Sequence, residues 1–427
     1  MSILNVNKIN PVGGGSTITI SGIASVTSSV TAPSFVGAVT GNVTGNVTGN
    51  SDTASGLSGN PSINTTGIIT ATSFVPTVEQ LSHRNIIING GMTVKQRSDL
   101  TMTTTSTYSL DRFRATVGSS FNWSSATVTQ STTSPDGFGN SLKVDIASTN
   151  TPTGSQNGLI QTKIEGQDLQ RLAYGTSSAK QCTLSFYVRS NKTGTYCVQV
   201  TNPANTKFVL FDYTINSADT WERKSVTFSG NTANTLNNDN AICFEINFHL
   251  ATGSSDHISA TSTWTTYSGG SFKSTSNQVN LFDNASNEWY LTGVQLEVGP
   301  VATPFEHRSF TDELLRCQRY YIEFNQGFNT GARTGAGGAK VRYNYPLTVP
   351  LRASPTIAAT GGSYSCRMYN SGGTSDSSSI PTIASGGNGY NTNQNYLYVE
   401  QAGHSSTDDR VASIEASSGI SLSAELD

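Results

Sequence analysis

Charged side chains are scarce in this chain of 427 residues. They make up 12% of the sequence, against about 25% in an ordinary soluble domain. The formal net charge is −3, and no block of like charges occurs. A protein that binds the phosphate backbone of DNA or RNA needs a basic face, so we expect no nucleic-acid partner.

Long hydrophobic runs are also missing. The longest aliphatic run is the isoleucines at 86–88, whereas about 20 apolar residues are needed to cross a bilayer. The first residues, Met1–Leu4, provide neither the basic nor the apolar segment of a secretory signal peptide. We therefore expect no membrane insertion, and synthesis in a cytoplasm.

Motifs for metal binding and catalysis are absent from the sequence. No C-x-x-C, H-E-x-x-H or G-x-S-x-G occurs, and the glycine-rich residues 335–340 lack the spacing of a phosphate-binding loop. We expect no enzyme, no metal and no cofactor. The cysteines are few and far apart, which predicts buried free thiols rather than a disulfide framework or a zinc site. They are Cys182, Cys197, Cys243, Cys317 and Cys366.

A glycosidase remains the enzymatic alternative, because sequence alone cannot show which two carboxylates meet in space. Enzymes that degrade capsular polysaccharide usually carry a long repeated β-helix. Here the repeats end before residue 82.

Apolar residues make up 35% of the chain, and glycine is abundant. A monomer of this composition would bury too little apolar surface to offset the entropy of the chain. Neighbouring chains could supply the missing core, so the composition favours an oligomer.

Residues 1–82 are repetitive and almost uncharged. Residues 37–50 contain G-A-V-T followed by two copies of G-N-V-T. Each unit places one β-branched residue between turn formers. One copy cannot close a core, whereas three copies wound around one axis could, as a repetitive β shaft. A disordered low-complexity linker is the alternative. The axis candidates are Val39, Val43 and Val47.

Residues 83–308 have the texture of a globular domain. Apolar or alternating segments recur between turn signals such as Asn89-Gly90 and Asn157-Gly158. Many short strands with little helical periodicity predict an all-β domain, a jelly-roll-like antiparallel sandwich. The predicted strands are Thr183–Val188, Tyr196–Val200, Phe208–Tyr213, Lys224–Phe228, Ile242–Leu250 and Tyr290–Val298.

A short neck helix is predicted at 309–324, running over residues 310–323. Ser309 suits its N-cap and acidic residues follow in its first turn. Leu314 and Leu315 are candidates for the trimer axis. Residues 325–427 again alternate strands and turns, which predicts a C-terminal β tip domain ending at or near the tip of a fibre.

Aromatic residues are the candidates for sugar contact, since their rings can stack on the apolar faces of pyranoses. We interpret Trp221 and Trp289 as core residues. Trp264 and Tyr267 lie in a polar, loop-like run, and core packing or sugar contact are both open for them. The tip offers tyrosines among Gly, Ser and Asn, typical of recognition loops and equally of hairpin edges. They are Tyr364, Tyr369, Tyr390 and Tyr396.

Three segments resemble phage tail fibres, in particular those of cyanobacterial and other marine phages. Residues 1–10 read M-S-I-L-N-V-N-K-I-N and lead into the G-N-V-T array. Residues 83–97 read H-R-N-I-I-I-N-G-G-M-T-V-K-Q-R, and residues 294–308 read V-Q-L-E-V-G-P-V-A-T-P-F-E-H-R. The resemblance extends over residues 1–325.

This resemblance implies a homotrimeric fibre of the virion, made in the host cytoplasm. Its N-terminus would bind a phage tail or baseplate protein, and its distal part would attach to a glycan or protein of the bacterial surface. The sandwich would be similar to carbohydrate-binding modules. We expect adhesion in residues 325–427, with a sugar site in the sandwich as the other possibility. A carbohydrate-active enzyme and a capsid decoration protein are the alternative functions.

Overall fold

The computed structural model describes residues 82–123, 126–267 and 272–324, and beyond them the segments 333–334, 340–359, 364–368, 375–377, 382–383, 396–402, 412–416 and 420–426. They belong to one compact unit, Phe74–Asp427. The predicted repeats, with Val39, Val43 and Val47, lie outside the described residues. The described chain is predominantly β, as the strand pattern predicts, and its strands are numbered in chain order below.

Residues 82–324 form two antiparallel sheets. The six-stranded sheet has the order β1-β4-β5-β13-β7-β10, and the seven-stranded sheet has the order β12-β9-β8-β11-β6-β3-β2, with the following bounds. The first contains β1 (Leu100–Thr101), β4 (Thr127–Ser131), β5 (Ser141–Asp145), β13 (Glu288–Val298), β7 (Cys182–Ser190) and β10 (Glu222–Phe228). The second contains β12 (Thr261–Thr266), β9 (Lys207–Ile215), β8 (Gly194–Asn202), β11 (Ile242–Thr252), β6 (Asn157–Glu165), β3 (Phe113–Gly118) and β2 (Thr107–Leu110). All six strands predicted within the sandwich are confirmed.

Short 3-10 helices connect some of these strands. They span Gly166–Leu172, Pro203–Asn205, Ser254–Asp256 and Leu281–Asp283. Two of them also supply residues to the core, namely Leu169 and Leu172 of the first and Leu281 and Phe282 of the last.

One hydrophobic core lies between the two sheets. Side chains alternate along a strand, so Phe244, Ile246 and Phe248 of β11 belong to the core while the residues between them face the other way. Trp289 is fully buried, which confirms its predicted core position. The same prediction is wrong for Trp221, which is half-buried and makes an edge contact with Tyr290. It precedes the edge strand β10, where a ring has neighbours on one side only.

The two sandwich segments that resemble tail fibres lie against each other. The side chain of Asn85 donates to the carbonyl of Val294 over 3.1 Å, and the backbone N–H of Ile86 donates to the carbonyl of Leu296 over 2.9 Å. A Cβ atom on Gly90 would come 2.1 Å from the carbonyl oxygen of Val294. The N-G turn therefore needs glycine because the closing strand passes directly over it.

The predicted helix is present but shorter than expected. It spans Phe310–Gln318 and is named α1. The hydroxyl of Ser309 accepts the N–H of Asp312 over 3.1 Å, which confirms the predicted N-cap. Its buried residues are Glu313 and Cys317, and Glu313 accepts the backbone N–H of Asn89 in the sandwich.

The helix stops early because the aromatic residues after it pair as a strand. Tyr321 begins β14 (Tyr321–Phe324), which pairs with β23 (Ile420–Ser423), so the predicted extension to 323 is wrong. Leu314 and Leu315 are half-buried on the helix. Their role at a trimer axis stays a prediction.

The described strands after the helix form three small antiparallel sheets, of order β14-β23-β17, β15-β16-β21-β20 and β19-β18-β22. Their remaining bounds are β15 (Arg333–Thr334), β16 (Lys340–Pro346), β17 (Thr356–Ala359), β18 (Tyr364–Met368), β19 (Ser375–Ser377), β20 (Thr382–Ile383), β21 (Tyr396–Ala402) and β22 (Ala412–Ala416). This agrees with the strand-and-turn pattern of the sequence.

The last residues return to the sandwich. Glu425 is buried between two arginines: it accepts from Arg97 over 2.7 Å and from Arg112 as well. The hydroxyl of Tyr108 donates to the carbonyl of Leu426 over 3.0 Å. The last residues of the chain therefore pack against the sandwich, and the expectation that residues 325–427 end at or near a fibre tip stays a prediction.

Four cysteines confirm the prediction of buried free thiols, namely Cys182, Cys197, Cys243 and Cys317. Burial raises the pKa of the Cys197 thiol to about 12 and that of Cys243 to about 11. Such thiols stay protonated and unreactive at neutral pH.

Candidate functional site

The outward face of the seven-stranded sheet carries the candidate site. Its three middle strands, β6, β11 and β8, are paired so that their outward residues form rows across the sheet. Asn247 lies opposite both Gln161 and Gln199. His249 lies opposite Leu159 and Cys197 in the next row. A strand register set by the core thus brings polar residues from three distant parts of the sequence together.

The row of amides is hydrogen-bonded from end to end. Gln161 Nε2 donates to Asn247 Oδ1 over 2.8 Å, and Asn247 Nδ2 donates to Gln199 Oε1 over 3.2 Å. Gln199 Nε2 in turn donates to the carbonyl of Phe272. Each side-chain amide has two N–H donors and two acceptor lone pairs. The chain of bonds therefore fixes the three side chains and still leaves each with hydrogen-bonding capacity.

An ion pair borders the amide row on one side. Glu245 of β11 lies 3.9 Å from the ammonium of Lys163 and accepts the hydroxyl of Thr201 over 3.0 Å. Lys163 and Thr201 are themselves buried. The carboxylate is thus held by both neighbouring strands.

His249 lies on the other side of the amide row. Its side chain is fully buried, and neither Nδ1 nor Nε2 has a partner among the described residues. Burial, with a smaller effect from the charge of Lys273, lowers the pKa of His249 from 6.5 to about 3. The imidazole is therefore neutral at physiological pH, with one donor and one acceptor nitrogen.

Two stacked aromatic rings form a wall beside these rows. The rings of Tyr267 and Phe272 are nearly parallel, 4.1 Å apart between centroids. Both pack on Phe208, an outward-facing residue of β9. Next to them, the ammonium of Lys273 lies 2.6 Å from the carboxylate of the buried Asp256.

Rows and wall together enclose a groove of about 210 Å³. Polar side chains form its floor and an aromatic pair forms its side. The groove residues are Asn157, Leu159, Gln161, Gln199, Thr201, Pro203, Glu245, Asn247, His249, Tyr267, Phe272 and Lys273.

The two sandwich residues predicted to contact sugar, Tyr267 and Trp264, lie in different surroundings. Tyr267 lines the groove. Trp264 does not lie in a loop: it belongs to β12 and packs on the edge of the core. Its ring makes an edge contact with Phe228, and its indole N–H donates to the carbonyl of Ser229 over 2.9 Å. Trp264 is partly buried and is not among the residues that line the groove, and its role in sugar contact stays a prediction.

Two of the four predicted tip tyrosines lie within described strands. Tyr364 and Tyr396 begin strands β18 and β21, and Tyr369 and Tyr390 lie outside the described residues. Their role in adhesion stays a prediction.

Sequence reasoning missed the floor of the groove. Glu245, Asn247 and His249 alternate with apolar residues inside β11, which was correctly predicted. Gln161 and Lys163 belong to β6, which was not among the predicted strands. Alternation of polar and apolar residues along a strand indicates that one face of the strand is polar, and this pattern could have revealed the outward face of β11. It could not show that the two strands are neighbours.

The described residues contain no group of three or more His, Cys, Asp or Glu side chains placed to hold a metal ion. Within the same part of the chain, no helix has the length and apolar character needed to span a bilayer.

Comparison with known proteins finds fold likenesses only. No model of a protein family matches the sequence, and no curated protein is similar to it at a significant level. A provisionally assigned sugar-binding protein of Bacteroides thetaiotaomicron VPI-5482 is 14% identical and covers 51% of this chain and 100% of its own, with a TM-score of 0.30.

Two further solved structures are similar in the same distant way. A family 11 carbohydrate-binding module of Clostridium thermocellum is 13% identical over 50% of this chain and 98% of its own, with a TM-score of 0.24. The enzymatically active domain of tailspike protein 4 of bacteriophage CBA120 is 14% identical over 50% of this chain and 21% of its own, with a TM-score of 0.26. At these identities and TM-scores the likenesses carry no inference about what this chain binds.

Proposed function

We propose that this chain is a phage tail-fibre protein that attaches the virion to its host, and that the groove binds a glycan of the host surface. The observation that carries the binding site is the row of fixed amides beside stacked aromatic rings. Sugars present hydroxyl groups that both donate and accept hydrogen bonds, and amides match them. The rings offer a flat apolar wall to the C–H faces of a pyranose.

The attachment role is supported by the resemblance of residues 1–10, 83–97 and 294–308 to tail fibres. In this proposal the N-terminal region holds the tail or baseplate, three chains form the fibre, and the protein resides in the virion. The groove gives the sandwich a binding role of its own. Adhesion by residues 325–427 remains a separate prediction.

The residues of the groove suit a protein that binds a glycan without hydrolysing it. Glycosidases usually place two carboxyl groups on either side of the scissile bond. Among the described residues that line the groove, Glu245 is the one carboxylate, and both Lys163 and Thr201 engage it. We therefore propose an adhesin rather than a depolymerase.

Glycan-array binding by the full chain, followed by adsorption to host cells, tests this function. Asn247→Ala removes the central amide, which bonds to both neighbouring strands, and should weaken glycan binding at least about tenfold. Asn238→Ala, an exposed loop position outside the groove, is the matched control and should bind as wild type. Tryptophan fluorescence checks that both variants are folded. Unchanged binding by a folded Asn247→Ala variant would place the glycan elsewhere.

A further inference from the structure

We propose that the groove accepts an uncharged sugar unit and that His249 reads one of its hydroxyl groups. This inference rests on the proposed function, since it concerns the ligand of the same groove. Two observations support it. The lysines Lys163 and Lys273 lie against carboxylates, and both ring nitrogens of the buried His249 lack a hydrogen-bond partner among the described residues.

Lys273, the one cation among the described residues that line the groove, and Lys163, which borders it, both lie against carboxylates. Lys273 lies 2.6 Å from Asp256, whose side chain is fully buried, and the ammonium of Lys163 lies 3.9 Å from Glu245. An acidic sugar, a uronate or a sialate, would bring another carboxylate close to Glu245. No cation among the described groove residues is free to compensate it, and a carboxylate buried without a partner is strongly disfavoured.

A cationic sugar fits no better. An ammonium group on the ligand would have to compete with Lys163 for Glu245. Lys163 is 8% exposed, so a ligand ammonium would separate this buried cation from the carboxylate of Glu245, which is again unfavourable. The arrangement is therefore selective for ligands that carry hydroxyl groups and no net charge.

His249 supplies the position-specific contact. Its nitrogens are buried and without partners in the described structure, and a neutral imidazole can donate through one nitrogen and accept through the other. A ligand hydroxyl can donate to the accepting nitrogen or accept from the donating one. Leaving one such buried polar atom unpaired corresponds to roughly a ten- to hundredfold loss in affinity. A sugar with a hydroxyl at the right ring position is thus favoured over its deoxy analogue.

The charge selectivity is tested on the full chain with three matched probes. These are neutral hexose oligosaccharides, the corresponding uronate oligosaccharides, and the methyl esters of those uronates, which keep the shape without the charge. We expect the neutral sugar and the ester to bind at least about tenfold more tightly than the uronate. Equal or tighter binding of the uronate would overturn this inference while leaving glycan binding intact. Failure of all three classes to bind would instead overturn the proposed function.

The role of His249 is tested with deoxy analogues of the best neutral sugar. Wild type should lose at least about tenfold in affinity for one deoxy position. His249→Leu, which keeps the volume and removes both nitrogens, should bind the parent and that analogue equally. The control Asn238→Ala should discriminate as wild type does.

Two results would overturn this role of His249. One is a folded His249→Leu variant that discriminates the deoxy analogues as wild type does. The other is a wild-type chain that binds every deoxy analogue as tightly as the parent sugar, and this second measurement needs no variant.

Discussion

Replacing His249 by leucine should remove a measurable part of the sandwich's sensitivity to acid. The pKa of this histidine is about 3 in the folded protein, against an ordinary value of 6.5. As the pH falls below 6.5, the unfolded chain takes up a proton that the folded chain does not. The free energy of unfolding contributed by this group is therefore lost progressively as the pH falls towards 3, and it is fully present above 6.5.

The size of the effect follows from the same two pKa values. Between about pH 7.5 and pH 5, the unfolded histidine becomes almost fully protonated while the folded one stays neutral, which lowers the free energy of unfolding by about 2 kcal/mol. Other groups also titrate in this range. Their contribution is common to wild type and variant, so it cancels in the difference.

Denaturant unfolding followed by tryptophan fluorescence measures this difference. All four tryptophans lie in residues 83–308, so the signal reports on the sandwich. His249→Leu should lose about 2 kcal/mol less than wild type between the two pH values. At pH 7.5 it should be as stable as wild type or more so, because two unpaired buried nitrogens are removed. Equal pH dependence of the two proteins would refute the neutral, buried state of this histidine.

Three further predictions concern stability and assembly. Glu425→Ala should destabilise the sandwich by about 3–5 kcal/mol, because it removes the carboxylate that pairs with the buried Arg112. The control Asp99→Ala removes the exposed carboxylate that pairs with Lys95 and should cost about 1 kcal/mol or less. Equal loss of stability in the two variants would contradict this. Gly90→Ala should cost about 1–3 kcal/mol, since its Cβ would meet a backbone carbonyl, and Gly139→Ala, with open space around it, should stay within about 0.5 kcal/mol. Light scattering on the full chain should give a trimer of the 45.1 kDa chain, and a monomer mass at micromolar concentration would rule the fibre model out.

The ion pairs of Glu425 with Arg97 and Arg112 also determine which experiment can locate the adhesion site. A fragment that stops near residue 310 would lose Glu425 and expose the buried guanidinium of Arg112. Loss of binding by such a fragment could then reflect unfolding alone. Point variants in the full chain, such as Asn247→Ala, separate the groove from residues 325–427 without this difficulty.

The sequence by itself determined the local structure of this protein. Alternating apolar residues are enough to identify a strand such as β11 and the residues that it buries, because alternation reflects the pleat of the strand. The N-cap Ser309 was equally evident, since capping depends on a few adjacent residues. The scarcity of charged residues and the absence of catalytic motifs were evident from the sequence in the same direct way.

What depended on long-range packing was not predictable from the sequence. The helix ends at 318 because Tyr321 pairs with Ser423, about a hundred residues later in the chain. Trp264 resembled a loop residue in its polar run, yet it belongs to strand β12 and packs against the edge of the core. Both outcomes were set by partners that are remote in sequence.

The groove was decided entirely by the tertiary structure. Gln161, Gln199 and Asn247 come from three strands, and only the register of the sheet places their amides within hydrogen-bonding distance. His249 has an ordinary sequence setting, and its unusual pKa arises from complete burial under residues of other segments. Pairing between distant strands is a cooperative property of the whole core, and one chain's sequence pattern specifies which face is polar but not which polar residues meet.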